Sequence, residues 1–304
     1  MKRALSAAVF ALSAVAASAV QAQCVTVDPV ALPQVRLDPL DAAGAAELAQ
    51  PFVLTFRRAT VDDQPIQIRY QILDEDSVIR PRVGVSQGPV IFWQGADSAR
   101  DIGGLRNQAY ALMNSGLAGL EQDETATQRN MILRLTDLRA DLPAGVYREQ
   151  FTVRFWCDSE GVTPPYESVA AVSVSVAVPN VLSASVAGAT ARGEIDFFDF
   201  ASLNRSLQVS VRSTGPYRVT ARSLNGGVLL REGAVAAADQ ADRIAYQARF
   251  DGRPMQTEGG AALSMPRAGL SGQQLPLEVV VEDVSNNRAG RYADTLLLTL
   301  EPAN

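Results

Sequence analysis

The sequence contains no histidine, and Lys2 is its only lysine. Histidine is the commonest general base and metal ligand of proteins. Lysine supplies the Schiff-base nucleophile and the phosphate-binding side chain of a P-loop. We therefore expect no catalytic residues, no metal site and no cofactor, and the composition predicts that the protein is not an enzyme.

Long apolar runs are also scarce. The N-terminal stretch "MKRALSAAVFALSAVAASAVQA" has a basic start, an Ala/Val/Leu run and small residues at its end, which predicts a secretory signal peptide over residues 1–22. A membrane anchor is the alternative, but the run is short and rich in alanine for crossing about 30 Å of hydrocarbon. We expect the mature chain to begin at Gln23, to pass through the periplasm to the cell surface, and not to insert into a membrane.

Basic residues are in the minority, with 27 Lys and Arg against 33 Asp and Glu. An acidic chain is a poor partner for nucleic acid. Carboxylates cluster at residues 74–76 and at Glu194, Asp196 and Asp199. Paired carboxylates can hydrolyse glycosides or bind Ca²⁺. Because Asp and Glu favour exposed turns, we interpret both clusters as solvated turn charge.

Cysteine is rare, and Cys24 and Cys157 are the only two. An even number of cysteines in an exported protein is typical of disulfide pairing. We expect one bond between them, with two free thiols as the alternative. The bond would tie the start of the mature chain to a segment more than a hundred residues later.

Short β-rich runs bounded by Gly, Pro, Asn or Asp dominate what is present. One example, "SVAAVSVSVAVP" at residues 168–179, alternates Val with Ser or Ala. The others are residues 206–213, 217–223, 277–283 and 292–300. This spacing predicts an all-β protein built from antiparallel β-sandwiches. The exception is residues 101–120, where the pattern after Gly104 favours a short helix or a long loop.

One sequence motif, called the repeated phrase below, occurs twice, as "AGVYREQFTVRFWC" from residue 144 and as "AGRYADTLLLTLEPAN" from residue 289. In each copy a Gly-x-Tyr is followed by an acidic residue and by apolar residues at every second position, which is typical of a late sandwich strand. The apolar residues are Phe151, Val153 and Phe155 in the first copy and Leu296, Leu298 and Leu300 in the second. The repeat predicts two domains, residues 23–178 and 181–304, joined at Pro179 and Asn180.

The two copies differ in the residues that come after them. The first precedes residues 168–179, which can pair back as a final strand, whereas only four residues stand after Leu300. We therefore expect the C-terminal domain to lack its last strand and to leave an open groove lined by Tyr292, Leu296, Leu298 and Leu300. A strand from another protein would fill such a groove. The alternative is a strand from elsewhere in the same chain.

An apolar run without alternation stands at Val90, Ile91, Phe92 and Trp93. Short apolar runs are usually buried strands. The functional alternative is an exposed adhesive loop at one end of the N-terminal domain.

The terminal strand resembles that of bacterial chaperone–usher fimbrial subunits, of the archaic group with spore-coat-protein-U-like domains. Ala289, Gly290, Tyr292, Asp294 and Thr299 carry the resemblance, which covers mainly residues 181–304. It implies two immunoglobulin-like β-sandwich domains and assembly by donor-strand complementation, with a periplasmic chaperone, an outer-membrane usher and other fimbrial subunits as partners. Two features depart from the family. The second domain has no cysteine, and the chain ends in Asn304 rather than an aromatic residue.

Two domains and a fastened N-terminus predict a subunit at the tip of a fimbrium, with residues 23–178 as the receptor- or surface-binding domain. The main alternative is a monomeric secreted or periplasmic carbohydrate-binding sandwich, with Trp93 or tyrosine side chains as a stacking platform. A glycosidase ranks third.

Overall fold

The computed structural model describes residues 24–40, 47–59, 64–74, 90–94, 100–105, 115–139, 141–157, 167–186, 191–234 and 239–303. The predicted signal peptide lies outside them. Within these residues no helix has the length and apolar character that crossing a membrane requires. The chain is almost entirely β-structure, as the sequence predicts. We refer to residues 24–178 as the N-terminal unit and to residues 181–303 as the C-terminal unit.

The strands described in the N-terminal unit are β1 (Val25–Val27), β2 (Val30–Ala31), β3 (Val35–Arg36), β4 (Glu47–Arg58), β5 (Ile66–Asp74), β6 (Val90–Gln94), β7 (Arg100–Asp101), β8 (Gly103–Leu105), β9 (Gly116–Leu120), β10 (Ala126–Thr136), β11 (Gly145–Trp156) and β12 (Glu167–Val178). One sheet has the order β1-β4-β10-β6-β7, and the other has the order β2-β12-β11-β5-β8, with β3 on β12 and β9 on β5. Pairing is antiparallel, except that β2 and β3 run parallel to β12 and β8 runs parallel to β5.

Aromatic rings join the two sheets of the N-terminal unit. The ring centroids of Phe56 and Tyr70 are 4.9 Å apart, and those of Phe92 and Phe151 are 5.0 Å apart. These four side chains have no exposed surface. The alternating apolar residues of each strand therefore point into one continuous core between two sheets, which is the sandwich arrangement.

The strands described in the C-terminal unit are β13 (Leu182–Val186), β14 (Asn204–Ser213), β15 (Tyr217–Ser223), β16 (Val228–Arg231), β17 (Arg243–Phe250), β18 (Arg253–Met255), β19 (Leu263–Met265), β20 (Gly269–Val281), β21 (Tyr292–Ala293) and β22 (Leu296–Pro302). A single turn of 3-10 helix spans Gln240–Asp242. One sheet has the order β13-β14-β20-β17-β16-β21, with β18 on β17, and a smaller one has the order β19-β15-β22.

Two sequence expectations differ from the structure. Within the expected helix or loop at residues 101–120, Asp101 ends β7, and residues 103–105 and 116–120 form β8 and β9, whereas residues 106–114 lie outside the described part. Gly116 has a packing role there, because a Cβ atom on it would lie 2.5 Å from the Tyr70 ring. The run 292–300 is divided, since β21 pairs with β16 whereas β22 pairs with β15.

The two units touch through a hydrogen-bonded junction. Asp141 of the N-terminal unit forms an ion pair with Arg267 and accepts a hydrogen bond of 3.0 Å from the Leu270 amide. The Asn180 side chain donates hydrogen bonds to the carbonyls of Pro216, at 3.1 Å, and Ala303, at 2.6 Å. The end of β22 that carries Ala303 therefore lies at the junction, and its start lies at the far end of the C-terminal unit.

Candidate strand-acceptor site

Strand β22 has a paired edge and an open edge. Its register with β15 runs from Ser223 opposite Leu296 to Tyr217 opposite Pro302. Among the residues that the structure describes, none pairs with its other edge. An unpaired edge presents a row of free N–H and C=O groups to any further strand.

The hydrogen bonds to β15 show which backbone groups are free. The Leu224 amide donates to the Thr295 carbonyl at 3.0 Å, and the Ala303 amide donates to the Pro216 carbonyl at 2.9 Å. Antiparallel strands bond through alternate residues. Residues 295, 297, 299, 301 and 303 therefore face β15. The amides and carbonyls of Leu296, Leu298 and Leu300 point toward the open edge.

The first copy of the repeated phrase provides an internal comparison. Strand β11 pairs with β5 along Phe151–Trp156 and with β12 from Gly145 to Phe155. It therefore has a partner on both sides. By its position beside the repeated strand, β15 corresponds to β5, and β22 has no counterpart of β12 in the described part of the chain.

Burial shows the same difference. Phe151 and Val153 are completely buried and Phe155 is 1% exposed, whereas the corresponding Leu296, Leu298 and Leu300 are only partly buried. The leucines pack against the core of the C-terminal unit on one side only. Covering their remaining surface would stabilise the fold by roughly 1 kcal/mol for each leucine.

Strand β13 would form the opposite wall of the predicted groove. It is the edge strand of the larger sheet, and its Cα atoms approach within 8 Å of those of β22 although the two strands are not paired. Leu182 and Val186 of β13 are partly buried against the same core as the three leucines. These two residues are not predictable from the sequence, because a short strand with the pattern Leu-Ser-Ala-Ser-Val has little apolar alternation.

Tyr292, the fourth predicted groove residue, supports the strand from its start. Its hydroxyl donates to the Arg288 carbonyl at 2.6 Å and lies 3.1 Å from the Ala241 carbonyl. Tyr147 in the first copy donates to the Pro143 carbonyl, also four residues upstream, at 2.9 Å. A hydroxyl that bonds back to the chain at this corner is a feature of immunoglobulin-like sandwiches.

Asp294 anchors the chain where β21 passes into β22. Its carboxylate accepts hydrogen bonds from the hydroxyls of Ser223 and Tyr246, the latter at 2.6 Å, and from the amides of Asn225 and Thr295. Burial raises the pKa of the Tyr246 hydroxyl, and the bond to Asp294 raises it further. Asp294 therefore has a structural role at the start of β22.

The predicted cysteine pair lies at one edge of the N-terminal unit. Cys24 and Cys157 form a disulfide with Cα atoms 6.1 Å apart, within the usual range for such bonds. Beyond Cys24 the chain continues into β1, which pairs with β4, and into β2 and β3, which pair with β12.

The run Val90 to Trp93 lies in β6, which pairs with β10, and not in a loop. Phe92 has no exposed surface and Ile91 is half-buried. The side chains of Val90 and Trp93 lie outside the described residues, so an adhesive role for those two stays a prediction.

The acidic residues come together at no metal-binding cluster within the part of the chain that the structure describes. Glu194, Asp196 and Asp199 are exposed in the segment between β13 and β14. Asp196 and Asp199 accept hydrogen bonds from the amides of Phe198 and Ala201, two residues further on. Such bonds stabilise turns. Residues 75 and 76 of the other cluster lie outside the described part.

The sequence matches no protein-family model and no curated protein. Solved structures with a similar strand arrangement include the CupB6 tip adhesin from Pseudomonas aeruginosa. The two sequences are 16% identical, the match covers 92% of this chain and 95% of the adhesin chain, and the TM-score is 0.44. CfaE, the adhesive subunit of the CFA/I fimbria of enterotoxigenic Escherichia coli, is similar at 12% identity, 91% and 94% coverage and a TM-score of 0.45. A chain of the chaperone–tip subunit complex of archaic Csu pili from Acinetobacter baumannii is similar at 12% identity, 91% and 99% coverage and a TM-score of 0.39.

Proposed function

We propose that the protein is a non-enzymatic fimbrial subunit whose C-terminal unit accepts a strand from another protein along β22. The observation that carries this proposal is the open edge of β22, set beside the closed edge of its repeat β11. The three leucines that line the edge combine partly buried side chains with free backbone groups. Such an edge binds a strand with alternating apolar residues.

The proposed partners come from the resemblance of the terminal strand to archaic chaperone–usher subunits. A periplasmic chaperone would cover the groove first, and a neighbouring subunit would replace it after delivery to an outer-membrane usher. The protein would thus be exported through the periplasm to the cell surface. We expect covering to be necessary, because an exposed apolar edge promotes aggregation.

The subunit is proposed to occupy the tip of the fimbrium, with residues 23–178 as the domain that binds a receptor or surface. Residues 25–36 support this position, because β1, β2 and β3 pair within the N-terminal unit and the Cys24 disulfide fastens their start. These residues are therefore not available for donation to another subunit.

The test uses residues 23–304 expressed in the periplasm, with and without a fimbrial chaperone of the same organism. A peptide copying the donor strand of a fimbrial subunit from that organism is then added, and the soluble fraction and melting temperature are recorded. We expect a smaller soluble fraction for the chain alone than with the chaperone. For the soluble fraction, we expect a rise in melting temperature of roughly 10 °C with the peptide.

Two neighbouring leucines provide a matched control. Leu298→Ser removes an apolar side chain from the groove, whereas Leu297→Ser removes one from the opposite face of the same strand, where Leu297 is 56% exposed. We expect the first variant to lose the response to the peptide and the second to keep it. A stable monomer that ignores both chaperone and peptide would refute the proposal and favour the sugar-binding sandwich.

A further inference from the structure

The large exposed apolar side chains described in the C-terminal unit gather near one end of it. They are Phe198 at 75% exposure, Leu224 at 67%, Leu297 at 56% and Leu203 at 37%. The Leu224 amide bonds to the Thr295 carbonyl just before β22, and the Leu203 carbonyl accepts a bond from Val281 at the end of β20. We call this end, with residues 194–203 and 224–227, the distal pole, because the junction with the N-terminal unit lies at the other end.

The backbone conformation around Phe198 directs its side chain into the solvent. Phe198 and Phe200 have φ angles of +51° and +60°, which bulky side chains rarely adopt. The turn bonds of Asp196 and Asp199 stabilise this conformation, and the buried Phe197 ring stacks on Phe200 with centroids 5.9 Å apart. Backbone strain that the surroundings maintain is concentrated at functional positions.

Charged groups surround the exposed ring. The Arg205 guanidinium lies over the Phe198 ring, 5.7 Å from its centroid. Glu194, Asp196 and Asp199 are exposed, and none of them forms an ion pair with another described residue. An apolar contact flanked by unpaired carboxylates fits a partner surface that carries basic side chains beside an apolar one.

The geometry of the groove limits where the folded part of such a partner can lie. A neighbouring subunit that lays a terminal extension along β22 would have its folded body beyond one end of that strand. At the end near Ala303 the N-terminal unit is already in contact, through Asp141 with Arg267 and through the Ala144 amide with the Thr214 carbonyl at 2.7 Å. The distal pole is the end that the N-terminal unit leaves open.

We infer that the distal pole binds the folded body of the protein that donates the strand, by an apolar contact flanked by basic side chains. This inference rests on the proposed function and adds a second contact to it. The strand supplies affinity through the groove, and the pole contact slows dissociation and sets the angle between the two proteins.

The experiment compares two probes on the full mature chain. One probe is a folded fimbrial subunit of the same organism, and the other is a peptide that copies only its donor strand. The variant Phe198→Asn removes the ring, and asparagine tolerates the positive φ angle. Leu224→Ser removes a second apolar side chain from a different loop. Val53→Thr, at a residue 40% exposed in the N-terminal unit, is the control.

We expect Phe198→Asn and Leu224→Ser each to speed dissociation of the folded subunit about tenfold, as for a contact at the edge of a larger interface. Dissociation of the peptide should stay unchanged, and Val53→Thr should leave both probes unaffected. Equal melting temperatures for the variants and the wild type would show that the fold is intact.

The remaining outcomes separate this inference from the proposed function. If the variants release both probes at the wild-type rate, or release both faster by the same factor, the pole contact is refuted while strand acceptance stands. If the wild-type chain binds neither probe, strand acceptance itself is refuted, and the pole contact is refuted with it.

Discussion

At the scale of single residues, the two copies of the repeated phrase share a tyrosine hydrogen bond as well as a similar sequence. Tyr292 and Tyr147 each donate a hydrogen bond to the carbonyl four residues upstream. The bond holds the segment that leads into the strand, so it helps to position β22 in one unit and the buried β11 in the other.

Replacing these tyrosines tests that equivalence. Tyr292→Phe removes the hydroxyl and keeps the ring, and we expect it to lower the free energy of unfolding of the C-terminal unit by about 1 kcal/mol. Tyr147→Phe should have a similar effect on the N-terminal unit alone. Urea unfolding, followed by hydrogen exchange in each unit, measures both. An equal effect of either variant on both units would contradict separate corner contacts.

A second residue-scale prediction concerns acid. The hydrogen bond from Arg231 at 2.5 Å, together with the charges of Arg231 and Arg288, holds the pKa of Asp242 below its ordinary value. A lowered pKa means that its contribution to stability is present above about pH 4 and is lost as the pH falls through the folded pKa. We expect the C-terminal unit to lose stability between about pH 5 and pH 2.

The variant Asp242→Asn should be less stable at pH 7 and should show a flatter loss in acid. Glu232→Gln, which changes an exposed carboxyl group in the same unit, is the control. Melting temperatures of the wild type and both variants, measured from pH 7 to pH 2, test this prediction. A wild-type slope that survives in Asp242→Asn would show that other groups cause the acid sensitivity.

At the scale of the element, the central feature is a strand with two unlike edges. Leu296, Leu298 and Leu300 offer their backbone groups to the open edge, whereas Leu297, Thr299 and Glu301 bond to β15. The same three leucines turn their side chains toward the core. One set of residues therefore provides both the hydrogen-bonding edge and the apolar floor of the proposed groove.

This arrangement predicts an alternating pattern of amide hydrogen exchange along β22. In the free chain, the amides of Leu296, Leu298 and Leu300 should exchange at least about tenfold faster than those of Leu297, Thr299 and Glu301. Addition of a donor-strand peptide should slow only the first set. Residue-level exchange measured by NMR gives the result. Uniform protection along β22 without the peptide would show that the edge is already closed.

At the scale of the whole molecule, the disulfide and the junction act on different parts. The disulfide joins residues 133 positions apart within the N-terminal unit. The junction at Asn180 and Asp141 connects that unit to the end of β22. We therefore expect the disulfide to govern the stability of the N-terminal unit without altering strand acceptance.

The variant Cys24→Ser with Cys157→Ser tests this separation. Loss of so long a cross-link costs on the order of 4–5 kcal/mol in the chain-entropy model, so the N-terminal unit should melt at a much lower temperature. The C-terminal unit should keep its melting transition and its response to the donor peptide. Calorimetry of the variant, with and without peptide, measures both. Loss of the peptide response would contradict the separation.

The sequence by itself determined the all-β class, because alternating Val, Leu and Phe residues between turn residues are readable one strand at a time. Residues 217–223 were predicted as a strand and form β15 with the same bounds. The cysteine pair was also evident, since the chain has only two. The repeat could be recognised because its apolar residues keep their spacing in both copies.

Only the tertiary structure decided which strands are neighbours. Short strands such as β13 and β21 have little pattern of their own, and their positions depend on contacts with distant residues. The division of residues 292–300 at Asp294 results from bonds to Ser223 and Tyr246, about fifty to seventy residues away. The open edge of β22 and the exposed ring of Phe198 are likewise properties of packing. Local pattern predicts that a strand forms, whereas long-range contacts decide which of its edges remain free.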